Sequence, residues 1–435
     1  MKRCVNRKAG RARRGSAAVL LTIAFAGMLV LVACLFAGAK AVSGASYADA
    51  ALGAAGRSVL SEYDTELLKK YGLFAFRGDE GRIEKDLMFY AGASLRKDKT
   101  AYLPFAASGK SVKLFDIEIS KIKANLKEFS VMDADIFEGQ LRDAALAKTA
   151  EKLAGKSGKK RGSGAGKNFS DPLSGHENRT LRNEGVADSL PSAGLGWSFP
   201  DVSALSPDRL SSLADSATKD VLTSQYILAV FGHANDGVSE DDSFFDAEAE
   251  YILSGKMNDR ANYDSVKTKL VLIRMAANNL AILTDPKKMA QIEEIAAPFA
   301  AAAGIGEEIA RVTVTELWAG AETKNDIGLM EAGMNVAFVK TPAQWALTDG
   351  TKAVDGLFTG KLMKPADRSG QSYEDYLRIL LFLMDREKKL LRVMDLIQID
   401  MKANYNRDFL MREYYVGYRF TAEVGGDSFE YTEKY

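Results

Sequence analysis

Residues 16–39 read SAAVLLTIAFAGMLVLVACLFAGA, a run without a single charged side chain. As a helix rising 1.5 Å per residue it is about 36 Å long, more than the roughly 30 Å of a bilayer's hydrocarbon core. No acidic residue precedes Asp49, and Lys2, Arg3, Arg7, Lys8, Arg11, Arg13 and Arg14 crowd the start. Positive flanks stay in the cytoplasm, so residues 1–15 are expected inside as a basic leader and the chain after about residue 40 outside. A later apolar run, Ile379–Met384, is too short to span and is bracketed by Arg378 and Asp385. One crossing is expected, with membrane lipid as the first partner.

The fate of this segment admits several readings. It can remain as an uncleaved anchor. A prepilin-like cut would fall between Gly15 and Ser16, behind Arg13-Arg14, although Leu20 stands where pilin-like subunits carry a glutamate. Leu31-Val32-Ala33-Cys34 satisfies a lipobox, but Cys34 is followed by the still apolar Leu35, Phe36 and Ala37. Ala39-Lys40-Ala41 offers a conventional signal-peptidase site. The two cysteines are Cys4 and Cys34, so the exported part is expected to fold without disulfides or thiolate metal sites.

Composition bounds the rest. In 435 residues, 58 Lys+Arg balance 58 Asp+Glu, which removes the basic excess a nucleic-acid binder shows. The 47% apolar fraction is too high for general disorder. Beyond the membrane, residues 41–60 are rich in Ala and Gly, as in a stalk or a surface on which helices approach closely. Gly27 in the span and Gly44 in the stalk are the candidate packing positions. The helix is expected to continue as far as Lys70 and stop at Tyr71-Gly72. Residues 111–129 alternate apolar and polar with one slip, the pattern of two short strands or a bulged one. A helix is expected from Asp133 to Leu153.

From Gly155 to Gly196 apolar residues are few and unperiodic, so a flexible, locally basic linker or insertion is expected. Its Lys156, Lys159, Lys160, Arg161 and Lys167 could touch an anionic wall polymer. After it the pattern is mostly helical, with an amphipathic stripe at Val266, Leu270, Ile273, Ala277 and Leu280. One long helix is expected from an N-cap at Ser372, with Asp375, to about Asn404. Tyr414–Val424 alternates and is rich in Tyr and Phe, as a strand is. The fold class is therefore α+β and helix-rich. One N-terminal transmembrane helix continues into a stalk, followed by an extracytoplasmic mixed domain with a small sheet. The expected divisions are 1–15, 16–39, 40–154, 155–196 and 197–435.

A search for chemistry returns little. The two histidines are His176, in the linker, and His233, expected at the surface or half-buried. Neither has the sequence neighbours of a zinc site or an acid/base dyad. Ala150–Ser157 lacks the first Gly of a phosphate loop. Asp201-Val202-Ser203 lacks the second Ser of a metal-binding adhesion motif, and Asp241 and Asp242 lack the spacing of a calcium loop. Glu248 and Glu250 flank a helix start, where carboxylates favour the dipole. No catalytic residue, no cofactor site and no metal site is assigned.

Several segments resemble a family of exported proteins of Gram-positive bacteria, of unknown biochemical activity, encoded among tight-adherence (Tad, or Flp) pilus genes. Its layout is similar to that of the TadE and TadG minor components. The segments are Arg14–Val19 with its helix, Ser58–Asp64 leading to Tyr71–Phe74, Glu248–Gly255, Trp318–Glu322, Tyr373–Arg378 and Asp395–Gln398. The resemblance spans most of the chain apart from the linker, and none of these segments is a catalytic signature. It implies an anchored accessory or minor component of a pilus or type II secretion-like apparatus, whose partners are other subunits, and not an enzyme. The missing pilin glutamate argues against a polymerised major pilin. Two other classes stay open. A surface- or wall-binding protein would use the basic linker or the Tyr-rich end, and a hydrolase would need a cleft of perturbed carboxylates.

Overall fold

The computed structural model describes residues 13–96, 117–153, 171–175, 177–194, 218–236, 243–351, 353 and 362–435. In chain order its elements begin with α1 (Arg13–Leu60), α2 (Thr65–Tyr71), α3 (Glu80–Arg96), β1 (Ile119–Asn125) and α4 (Ala134–Leu153). Then come α5 (Glu184–Asp188), α6 (Thr218–Val230), α7 (Glu248–Ser254), α8 (Asp259–Leu283) and α9 (Pro286–Ala303). The chain closes with α10 (Glu307–Glu331), α11 (Tyr373–Leu383), α12 (Arg386–Asn404), β2 (Gly417–Val424) and β3 (Asp427–Lys434). The fold is helix-rich with small sheets, and it divides into two compact units.

The first unit comprises Met1–Tyr63, Phe76–Phe129 and Tyr415–Tyr435. Its backbone is α1, whose two halves have opposite surroundings. From Val19 to Val42 the large apolar side chains stand exposed, Leu20 at 72% and Val42 at 69%. From Ala48 onward a stripe of Ala48, Leu52, Ala55 and Val59 enters a core. This 4-3-4 spacing places one face of the helix against Ile83, Leu87 and Ala91 of α3 and against the sheet. Small side chains let the sheet come close: a Cβ on Gly56 would lie 3.1 Å from the Phe420 ring.

The sheet runs β1-β2-β3, antiparallel throughout. β1 has the bulge its sequence slip foreshadows, between Ile119 and Lys121, while residues 111–116 lie outside the described residues. Along β2, Tyr418, Phe420, Ala422 and Val424 turn inward and Arg419, Thr421 and Glu423 outward. Gly425 and Gly426, at φ 61° and 97°, make the two-residue turn into β3, a conformation that needs positive φ at both positions. The expected division is corrected here. The C-terminal strand does not belong to one 197–435 region, because β1, half-buried and alone, acquires its ladder partner from β2.

The second unit comprises Asp64–Ala75 and Ser130–Tyr414. The helix expected to reach Lys70 instead ends at Leu60. Asp64 caps a new helix by accepting from the Glu66 and Leu67 amides, both at 3.1 Å, and Gly72 closes it at φ 72°. The single helix expected from Ser372 to Asn404 is likewise two. The Ser372–Asp375 capping box starts α11, and Asp385 caps α12 by accepting from the Lys388 amide at 3.0 Å. Its apolar stripe, from Leu390 through Val393, Met394 and Ile397 to Met401, is core.

α8, α9 and α10 turn back on one another through an Asp285-Pro286 start and a Gly304 αL stop, enclosing Trp318, Ile292, Val314, Trp345 and Leu347. The expected linker also needs correction. Residues 155–170 and 195–196, with His176, lie outside the described residues. The stretch between them includes a helix, α5, and buries Leu173 and Leu190. Arg179 Nη1 donates to the Ser243 carbonyl at 2.6 Å, and Thr180 bridges to Asn258. A segment tied down by polar contacts and two leucines leaves no hydrophobic period to read.

Candidate functional site

α1 is long and apolar enough to cross a membrane by length and composition, as a single span or a signal sequence. Gly15 and Ser16 lie in its first turns. Cys34 is exposed, and a Cβ on Gly27 would meet nothing within 4 Å. Gly44 is half-buried near the start of the core stripe. The candidate processing and packing positions are thus strung along one helix, and the structure brings none of them together.

The carboxylates expected to serve only a helix dipole do something else. Glu248 and Glu250, in the first turn of α7, are buried and reach back to one turn, Gly232–Asp236. Glu248 Oε2 accepts from the Gly232 amide at 2.7 Å. Glu250 Oε1 accepts from the Ala234 amide at 3.0 Å and from the Tyr373 hydroxyl at 2.7 Å. Burial lifts the Glu250 carboxyl above the ordinary glutamate range, against the pull of His233 and of its own hydrogen bonds. Burial and Glu250 together push the Tyr373 hydroxyl far up. His233 is buried rather than on the surface, with Nε2 at 3.3 Å from Asp236 Oδ1 and its ring edge-on to Tyr373.

A second cluster lies between α8 and α10. Arg274, fully buried, donates Nε and Nη2 to Asp326 Oδ2 at 3.1 and 3.0 Å. Its Nη1 donates to the carbonyls of Ala337 and Phe338 at 2.9 and 2.8 Å. Lys340 binds both Asp326, at 2.5 Å, and Glu322, whose other bonds come from the amides of Ala346 and Leu347. Two cations thus meet two anions in a fully hydrogen-bonded box. Lys288 sits 4.0 Å from the Trp345 ring centre, and burial lowers its ammonium pKa.

A third cluster centres on α12. Asp395 accepts from the Ser192 amide at 2.9 Å, its hydroxyl at 2.5 Å and the Tyr251 hydroxyl at 3.1 Å, and burial raises it to about 6. Gln398 holds Ser189, and Arg392 Nη1 donates to the Ile252 carbonyl at 2.9 Å. Gly255, at φ 66°, lets that arginine pass, since a Cβ there would lie 2.8 Å from its Nη2.

Sequence reasoning missed Arg274, Asp326, Lys340 and the role of Asp395. One signal was present: Arg274 and Asn278 follow Leu270 at intervals of four, placing polar side chains on the apolar stripe of α8. Asp201-Val202-Ser203 and the Asp241-Asp242 pair lie outside the described residues. Among the described residues no group of three or more His, Cys, Asp and Glu is placed to hold a metal ion. Each carboxylate in these clusters binds backbone amides, hydroxyls or cations through at least one oxygen, an arrangement that fixes helix positions.

The fold and its buried junctions define a helix-rich protein with small sheets and, among the described residues, one helix long and apolar enough to cross a membrane. Residues 186–426 match a family of unknown function, DUF5702, and the chain belongs to that family. The matched range contains all three polar clusters and β2. No curated protein and no solved structure shows significant similarity to the chain.

Proposed function

We propose that this protein is a membrane-anchored accessory or minor component of a tight-adherence pilus or related secretion apparatus, acting by protein–protein contact. The observation that carries this reading is α1 itself. One unbroken helix is exposed and apolar in its first half and part of a folded core in its second. The span is therefore continuous with the first unit, with no free tether between membrane and fold. The Ala39-Lys40-Ala41 motif lies inside this helix, whereas a signal peptidase acts on an extended segment. Both points favour an anchor over a discarded signal. The seven basic residues before the span favour a cytoplasmic N-terminus and an extracytoplasmic bulk.

On this reading the exposed helix provides lateral contacts in the bilayer, where small residues permit close approach, and the folded units dock on neighbouring subunits. The test is crosslinking in cells with Gly27→Phe and Gly44→Phe. Recovery of pilus or secretion subunits should fall while the rest of the chain stays folded. Unchanged recovery with both variants would remove the helix from the interface. Protease added to protoplasts should destroy an epitope at Tyr435 and spare one at Arg7; a protected C-terminus would overturn the orientation.

A further inference from the structure

Two buried atoms at the junction of α7 and the Gly232–Asp236 turn have no hydrogen-bond partner in the protein: Nδ1 of His233 and Oε2 of Glu250. The other polar atom of each side chain is engaged. Nε2 of His233 faces Asp236 Oδ1 at 3.3 Å, and a carboxylate only accepts, so Nε2 carries a hydrogen; when that is the ring's only one, Nδ1 is a lone pair. Oε1 of Glu250 is held by the Ala234 amide and the Tyr373 hydroxyl. Asn235, in the same turn, gives its Nδ2 hydrogen to the Met330 carbonyl at 2.9 Å and leaves Oδ1 buried as a third unpartnered acceptor.

Three acceptors cannot satisfy one another, and buried polar atoms are rarely left unpaired. The charged and titratable groups around them supply no donor. Glu248 comes from α7, Asp236 from the turn, Tyr263 and Lys267 from α8, Glu331 from α10 and Tyr373 from α11. Lys267 and the Tyr263 hydroxyl are bound to Glu331, the latter at 2.5 Å, and the Tyr373 hydroxyl is bound to Glu250 itself. His233 and Glu250 interact electrostatically without a direct hydrogen bond.

We propose that this junction is a binding site for one water molecule and one proton, which together latch the Gly232–Asp236 turn onto α7. The proton sits on Glu250, and Oε2–H donates to the water. The water donates one hydrogen to Nδ1 of His233 and the other to Oδ1 of Asn235. All three acceptors are then satisfied, and the water makes three hydrogen bonds, the usual number for a buried one. Burial of Glu250 favours the same protonated form. When pH rises and the proton leaves, a bare carboxylate remains buried beside two lone pairs, and the latch opens. This inference does not depend on the pilus reading.

The test uses the full chain in detergent micelles with ¹⁵N-labelled histidine; His176→Asn assigns the two imidazoles. Glu250→Gln is the informative variant, because its amide keeps an oxygen for Ala234 and Tyr373 and offers a permanent N–H to the water. Above the ordinary glutamate range wild type should still show a carboxylic-acid carbonyl stretch that Glu250→Gln removes, and His233 Nδ1 should resonate as a hydrogen-bonded acceptor in both. Amide exchange at Gly232 and Ala234, corrected for intrinsic base catalysis, should quicken roughly tenfold or more in wild type as rising pH removes the acid band, and stay flat in Glu250→Gln. If Glu250→Gln does not fold, the wild-type imidazole titration decides alone, because Asp259 and Asp395 also give acid bands near pH 6. Absence of an acid band that Glu250→Gln removes, or an Nδ1 shift matching free imidazole, overturns the proposal.

Discussion

Replacing Arg274 by Met tests whether the α8–α10 junction is held by its buried charges. The substitution keeps the aliphatic volume but removes the guanidinium that bonds Asp326, Asn278 and the Ala337 and Phe338 carbonyls. Asp326 keeps Lys340, yet the box then holds one cation against two anions, in a site from which water is excluded. Removing one partner of a buried pair costs about 3–5 kcal/mol, and each carbonyl left dry adds roughly 1 kcal/mol or more. A loss of at least about 4 kcal/mol is expected. Of the three tryptophans, Trp318 and Trp345 sit in the adjoining core, so fluorescence reports on this junction in urea unfolding of the detergent-solubilised chain. With a slope of roughly 3 kcal/mol per M, the midpoint should fall by more than about 1 M. Arg274→Met with Asp326→Leu restores the balance and should recover part of the loss. A single-variant cost below about 1 kcal/mol would refute the reasoning, because it would mean that water already reaches the pair.

Three further outcomes follow from the same structure. Stability should pass through a minimum between about pH 6 and 8: Asp259 and Asp395, each raised to about 6, give stability that is full below the unfolded range near 4 and lost as pH rises through 6, while Lys269, lowered to about 8, gives stability regained only above 8. Each shift of about two units corresponds to roughly 3 kcal/mol, urea midpoints across pH measure it, and a maximum at pH 7 would contradict it. Leu52→Ala, in the buried half of α1, should cost about 2–5 kcal/mol, whereas Leu31→Ala, in the exposed half, should change the unfolding free energy by less than about 0.5 kcal/mol. Gly255→Ala meets both a left-handed φ and the Arg392 guanidinium, so it should lower the stability by at least about 1 kcal/mol, and a neutral effect would show that the arginine moves freely aside.

The membrane-length helix was legible because its signal is local: one run without charge, preceded by arginines. The strand bulge, the Ser372 cap and the Tyr/Phe strand were legible for the same reason. Breaks at Asp64 and Asp385 were not, since an N-cap inside a helical pattern competes with continuation and only packing decides. The pairing of β2 with β1 joins positions about 300 residues apart, and alternation alone names no partner. The polar clusters were hidden in another way. Arg274, Asp326, Glu250 and Asp395 have the residue types of surface groups, and hydrophobic periodicity assigns such residues to water. The segments Glu248–Gly255, Trp318–Glu322, Tyr373–Arg378 and Asp395–Gln398, which carry part of the resemblance, all supply residues to these clusters or to the core beside them.

The central claim is that the chain acts as a contact component held in place by α1. Its most direct test is a deletion strain complemented either with the full chain or with a form released from its anchor, scored for surface pili and secretion. The full chain should restore both, and the released form should restore neither, because the helix that carries the lateral contacts is gone. Full restoration by the released form, or a deletion that leaves pili and secretion unchanged, would contradict the account.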